Sequence, residues 1–312
     1  MYDAIIVGAG AAGLTAAIFT CRKGLKTAII SIEIGGQSIL ATQLENYPGF
    51  KGSGYELMNV FKEQAESFGA EIINGKVIKV DKDGKNFRIK LTNGEEYESK
   101  AIILAYGKVP RSLGIPGEDK YLGRGIHVCA TCDAPLYKNK TVAVIGGGNS
   151  ALESALLLSG IAKKVYLVHR RDEFRGDEIL VGRIKKKKNL EFVLNCIPKE
   201  VKGNKFVKSL IVENVNDKKE KELKINGIFL EIGYEVKTDF VKHLVEINEK
   251  NEIITDEKCQ TSCPGIFAAG DVTNVIYKQI VVSAGEGAKA GLSAYAYLQG
   301  KEIVGIDWGH KK

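Results

Sequence analysis

The chain has 312 residues, 44% hydrophobic and 27% charged, with 35 glycines against 6 prolines. These figures describe a folded, tight-turned chain of two-domain size rather than a disordered one. The formal net charge of +7 lies wholly in the middle, where residues 117–245 hold 24 Lys+Arg against 17 Asp+Glu while the remainder holds 21 of each.

From the N-terminus, residues 2–7 form a short continuous apolar run, the pattern of a buried parallel strand. Met1-Tyr2-Asp3 enters it without the basic start of a secretory signal. No later run approaches the roughly 18 apolar residues of a membrane span. The expectation is a cytoplasmic protein with no membrane partner. Gly8-x-Gly10-x-x-Gly13 follows, then a helix from about Leu14 to Lys23 stopped at Gly24, and a second strand at Thr27–Ser31. Set between strand and helix, this spacing reads as a dinucleotide fingerprint. The glycines permit a tight turn and close backbone approach to a pyrophosphate at the helix N-terminus. Ser31 occupies the usual place of a ribose-binding acid, and Glu33, two residues later, is the candidate for that role, the alternative being an ordinary loop acid. Over Tyr55–Phe68, the residues Leu57, Val60, Phe61, Gln64 and Phe68 recur with helical period, and Gly69 is the stop. Lys76–Tyr97 reads as two or three antiparallel strands turning at Asp83-Gly84 and Asn93-Gly94. Ala101–Ala105 is a further buried strand, leading into Tyr106-Gly107.

Cys129-Ala130-Thr131-Cys132-Asp133 comes next. Two intervening residues let such a pair close a small disulfide ring. Half a zinc site and two unrelated thiols are the other readings, and the lack of a second ligand pair argues against zinc. Asp133 is either a helix N-terminal acid or a proton-exchange partner for a thiolate. Cys21, Cys196, Cys259 and Cys263 carry no motif and are expected as free structural thiols.

The opening programme then restarts. Thr141–Ile145 is an apolar strand, Gly146-x-Gly148-x-x-Ala151 encloses Asn149 and Ser150, a helix runs to about Leu158, and Val165–Val168 is the paired strand. That strand ends in His169-Arg170-Arg171, with Arg175 four residues on. An acid there favours NAD, whereas arginine suits a 2′-phosphate and so NADPH; a solvated basic turn is the other, less favoured reading. The run Lys185–Lys188 reads as a solvated helix face; its alternative is a surface for an anionic ligand or an acidic protein. Nucleic acid is not expected, because no aromatic–basic interleaving accompanies the charge. Asn204–Leu230 reads as strands around a polar turn at Asn216–Lys219. Gly265–Asp271 is a strand ending on Gly270-Asp271, followed by Lys278-Gln279-Ile280 and a helix over Val281–Leu298. This last segment is too short to stand alone and should complete the first domain. The expected fold is α/β: two Rossmann-like three-layer ββα dinucleotide-binding domains, the second inserted into the first, with segments 1–115, 116–245 and 246–312.

Taken together, these motifs resemble the low-molecular-weight thioredoxin reductases. The resemblance rests on Gly8–Gly13, Gly35-Gly36-Gln37, Glu45–Gly49, Cys129–Asp133, Gly146–Ala151, His169-Arg170-Arg171 with Arg175, and Gly265–Asp271. It implies FAD at the first fingerprint, contacted by Glu33, Gly36, Gln37, Asn46, Gly107, Gly270, Asp271, Gln279 and Ile280, and NADPH at the second. It further implies a homodimer, with joints near Leu113–Gly117 and Lys242–Ile247. Electrons would pass from NADPH through FAD to a Cys129–Cys132 disulfide and on to thioredoxin. Cys132 would be the flavin-facing thiol, Cys129 the attacking one and Asp133 the acid–base. The chain departs from the family pattern at Tyr106-Gly107-Lys108, Ala134-Pro135-Leu136, Gly233–Val236 and a tail carrying Trp308. Relatives that take electrons from ferredoxin, an acidic protein, supply the competing reading, and the basic middle of the chain suits it. The arginine set argues against it, since a protein donor needs no 2′-phosphate site.

Overall fold

The computed structural model describes residues 1–41, 43–302 and 305, so Trp308 lies outside the described residues. The chain divides into two compact units, one of residues 1–109 and 235 onward, the other Pro110–Tyr234. Both divisions fall earlier than 115/116 and 245/246, the second by eleven residues. Val236, Val241 and Val245 are buried in the first unit's core, so the chain has already returned there before residue 246.

The first segment carries β1 (Tyr2–Ala9), α1 (Ala11–Arg22), β2 (Thr27–Ile34), α2 (Gly54–Ser67), β3 (Glu71–Asn74), β4 (Val77–Asp83), β5 (Asn86–Leu91) and β6 (Glu96–Leu104). β1 lies parallel between β2 and β6, with Ile6 beside Ile29 and Ile103. β6 changes character along its length. Its first residues pair antiparallel with β5 and alternate in burial, while Ala101–Leu104 are wholly buried in the parallel part. That is the difference between a strand covered on one face and one covered on both. Alternate residues feed two cores: Ile6, Ile29 and Ile103 face α1 and α2, and Ile5, Ile30 and Ile102 face Val80, Phe87 and Ile89 of the meander. α2 opens on a capping box in which the Glu56 N–H donates to Ser53 Oγ and the Ser53 N–H to Glu56 Oε2. It buries Leu57, Met58 and Ala65, whereas Val60, Gln64 and Phe68, assigned to that face by periodicity, are exposed.

The second unit holds β7 (Ile126–His127), β8 (Thr141–Ile145), α3 (Asn149–Ser159), β9 (Lys164–Val168), α4 (Glu178–Lys185), β10 (Leu190–Val193), β11 (Cys196–Gly203), β12 (Val207–Asn214), β13 (Glu220–Lys224) and β14 (Gly227–Leu230). A parallel sheet runs β10-β9-β8-β14-β7, and β11-β12-β13 form an antiparallel sheet of three. Val142, Val144 and Phe229 pack toward α3 and α4; Ala143, Ile145 and Ile228 pack toward Leu210, Val212 and Leu223. This repeats the three layers of the first unit.

The returning segment supplies β15 (Ile266–Ala268) and α5 (Ile280–Leu298). β15 pairs parallel with β6, Phe267 beside Ile103, and so completes the first sheet. The α/β architecture of two Rossmann-like units, one inserted into the other, is therefore the observed one. No helix of the described residues is long and apolar enough to cross a membrane.

Candidate active site

Within the second unit, β7 ends at His127 and the chain enters a single helical turn, Ala130–Asp133, with Cys129 at its N-cap. Cys129 and Cys132 are joined as a disulfide across a Cα–Cα distance of 5.4 Å, which this turn supplies. The Cys132 N–H donates to Cys129 Sγ at 3.2 Å. Asp133 accepts from His127, with Oδ2 2.8 Å from Nδ1, and the Tyr137 hydroxyl stands 2.7 Å from the other ring nitrogen. Phe229 of β14 stacks on the imidazole at 5.4 Å. Burial and then the Asp133 charge push the Tyr137 hydroxyl up to about 12. Neither His127 nor Tyr137 was singled out from sequence, since neither shares a motif with the cysteines.

The second glycine loop crosses from β8 to α3. Gly146 has φ +150°, and a Cβ there would meet the Glu231 carbonyl oxygen at 2.3 Å, so only glycine fits. Gly148, Asn149 and Ser150 are exposed at the start of α3. Asn149 Oδ1 accepts from the Asp177 N–H at 2.8 Å, and the Arg175 N–H donates to the Gly147 oxygen at 2.7 Å. The Arg170, Arg171 and Arg175 side chains are exposed, without a carboxylate partner among the described residues. His169 is different: it is 8% exposed, its ring lies under Gly147 and against Phe174, and Nε2 donates to the Glu173 oxygen at 3.1 Å. Burial lowers its pKa, with the three arginines adding to that. It is built as a floor for the loop.

In the first unit a cavity of about 590 Å³ opens at the carboxyl ends of β1 and β2. Gly8, Gly10, Glu33, Gly36, Gln37, Gly107, Gly270, Asp271, Gln279 and Ile280 line it. Gly13 stands behind, at van der Waals overlap distance from Gly8 for any side chain. Asn46 is outside the lining and reaches it through Gln279, Nδ2 to Oε1 at 3.1 Å. The N-termini of α1 and α5 both open on this space, through Ala11 and Ile280. Two lining residues were read only as departures from a pattern. Lys108 makes an ion pair with Asp271 at 3.2 Å and accepts on its carbonyl oxygen from Gln37 Nε2. Tyr106 packs edge-on against Phe240, and its buried hydroxyl has no partner among the described residues. Among those residues no cluster suited to a metal ion occurs. Cys259 and Cys263 are buried, Cys21 and Cys196 half-buried, and all four are free thiols.

The family model described as pyridine nucleotide-disulphide oxidoreductase matches residues 2–287. A thioredoxin reductase of Aquifex aeolicus (strain VF5) is 39% identical over 312 residues, covering 99% of this chain and 97% of that protein. The crystal structure of Lactococcus lactis thioredoxin reductase (FR conformation) is 37% identical with a TM-score of 0.80, covering 96% of this chain and 100% of that one. A ferredoxin-flavin thioredoxin reductase from Clostridium acetobutylicum is 33% identical with a TM-score of 0.53, covering 96% of this chain and 99% of that one. The chain belongs to the pyridine nucleotide-disulphide oxidoreductases and, among them, to the low-molecular-weight thioredoxin reductase family.

Proposed function

We propose that the chain is an NADPH-dependent thioredoxin reductase working as a cytoplasmic homodimer. The observation that carries this is the Cys129–Cys132 disulfide followed at once by Asp133, in a chain with two dinucleotide-type glycine loops. The first cavity fits FAD: glycine backbone and two helix N-termini suit a pyrophosphate, Glu33 suits a ribose, and the Tyr106 hydroxyl offers a buried polar atom. Bound there, FAD supplies a two-electron acceptor and donor. In the second unit Arg170, Arg171 and Arg175 beside the Gly146–Ala151 loop fit the 2′-phosphate of NADPH. Gly148, Asn149 and Ser150 suit its pyrophosphate, and His169 supports the loop from beneath.

In the proposed half-reaction, NADPH, one proton and the enzyme disulfide give NADP⁺ and two thiols. The Cys129 thiolate then attacks one sulfur of the thioredoxin disulfide, forming a mixed disulfide and releasing one thioredoxin thiolate. Cys132 attacks Cys129 Sγ, restores the ring and releases the second. Asp133 accepts and returns the proton that these thiolates exchange.

A second reading, reduction by ferredoxin, is favoured by the positive balance of residues 117–245. The arginine set favours NADPH. Anaerobic mixing with NADPH should bleach the flavin absorbance rapidly. Bleaching by reduced ferredoxin but by neither NADPH nor NADH would overturn the assignment of donor.

A further inference from the structure

Asp133 is held in place by a neighbouring ring. The Asp133 side chain is 31% exposed and Oδ1 has no partner among the described residues, so the carboxylate is tethered through Oδ2 alone. That tether is His127, whose side chain is only 9% exposed. Its ring is fixed on three sides, by Asp133, by the Tyr137 hydroxyl and by the face of Phe229. The titratable groups facing it are Asp133 and Tyr137, with the Lys140 ammonium 5.5 Å from the Tyr137 ring centroid. A tyrosine hydroxyl that donates to one imidazole nitrogen leaves the other as the N–H of the neutral ring. Here the Asp133 carboxylate can only accept, so Nδ1 carries a hydrogen and donates to Oδ2, and in the neutral ring Nε2 is then the acceptor for the Tyr137 hydroxyl.

We infer that His127 is the positioning residue of the dithiol's acid–base group: in its Nδ1–H tautomer, with Tyr137 donating to Nε2, it holds Asp133 by Oδ2 and leaves Oδ1 as the atom that exchanges protons with the thiols. The inference rests on the proposed acid–base role of Asp133. A carboxylate on an exposed turn has free rotation about χ1 and χ2. Tethering one oxygen to a buried ring removes most of it, and a proton-transfer group works only within hydrogen-bond reach of its partner. No bond beyond the thiol O···H···S exchange is made or broken, and His127 ends each cycle in its starting tautomer.

The test uses the flavin-loaded enzyme in four variants, with flavin bleaching by NADPH as the control that each is assembled. Thioredoxin turnover is measured, together with the pH dependence of iodoacetamide alkylation of the dithiol after reduction by dithiothreitol. His127→Phe keeps the stack on Phe229 and removes both hydrogen bonds; kcat should fall about tenfold or more at unchanged KM, against about 100-fold for Asp133→Asn. Its alkylation profile should shift along the pH axis. His127→Asn presents an N–H near the Nδ1 position and should recover kcat to within about threefold. Tyr137→Phe should give a smaller loss than His127→Phe. Parental kcat and alkylation profile in His127→Phe, with Asp133→Asn impaired, would overturn the inference alone. Full turnover in Asp133→Asn would overturn the acid–base reading beneath it. Equal losses in the two His127 variants with an unshifted profile would assign the residue to packing and overturn the inference as well.

Discussion

Gly287 of α5 lies against the carbonyl oxygen of Ala12 in α1: a Cβ on Gly287 would stand 2.1 Å from that oxygen. The same two helices meet again where Gly291 faces Ala16, at 2.9 Å for an added Cβ. Their close approach brings both N-termini to one cavity. Gly287→Ala must push α5 off α1. Helix propensity favours alanine by about 1 kcal/mol, but overpacking costs about 1–3 kcal/mol. The expected outcome is a lower thermal midpoint and a lower flavin-to-protein ratio after purification. An unchanged ratio would show that the helix pair does not shape the cavity.

Glu231 gives a pH prediction. Its carboxyl is half-buried and accepts from Ser154 Oγ at 2.6 Å. Burial raises its pKa above the ordinary 4.5, only partly offset by that hydroxyl. A carboxyl with a raised folded pKa is neutral in both states below the unfolded value. Its stabilising effect is then complete, and it is lost as pH rises through the folded pKa. Glu231→Gln keeps an acceptor for Ser154 and has no charge to bury. Its thermal midpoint should exceed the parent's at pH 7–8, with the difference shrinking toward pH 4.5 and below. A constant difference across that range would rule out titration as the cause.

The arginines carry the nucleotide preference in the proposed function. A hydrogen bond to a charged group is worth about 1.5–3 kcal/mol, or roughly 10–100-fold. Arg170→Ala, Arg171→Ala and Arg175→Ala should each raise KM for NADPH on that scale at most and leave KM for NADH nearly unchanged. Parallel losses with both nucleotides would remove the 2′-phosphate assignment.

The order of thiols is tested by trapping. Cys132→Ser leaves Cys129 to attack thioredoxin without a resolving partner, so a covalent enzyme–thioredoxin adduct should accumulate, visible on a non-reducing gel and cleared by dithiothreitol. Cys129→Ser should give no such adduct. Both should lose thioredoxin turnover while their flavin still bleaches with NADPH. An adduct with Cys129→Ser alone would reverse the two roles.

Much of this molecule was legible because its signals are local. Thr141–Ile145 was bounded correctly from apolar continuity alone, and β15 was recognised as a strand returning to the first unit because 70 residues do not make a third domain. The α2 face was misread: a helix beginning at Gly54 buries Met58 beside Leu57, and single-sequence period does not say which of two adjacent stripes meets the core. His169 was grouped with the arginines beside it, yet it lies one residue past β9 with its ring buried beneath Gly147, while the arginines are exposed. The second unit division was placed late because Val236, Val241 and Val245 are apolar in either unit, and only packing assigns them.

Residue order decides the programme of strand, glycine loop and helix, twice, with a dithiol between. Turn geometry, helix period and a four-residue disulfide loop each depend on neighbours a few positions apart. What the tertiary structure alone decides is which distant groups meet. Asn46 reaches Gln279 across 233 positions, Lys108 finds Asp271, and β7 and β14 pair so that Phe229 lies on His127. Those contacts follow from sheet register and helix packing, which sum over whole units and leave no mark in any short stretch. The dithiol was written in five residues; what holds its acid in place was written in the fold.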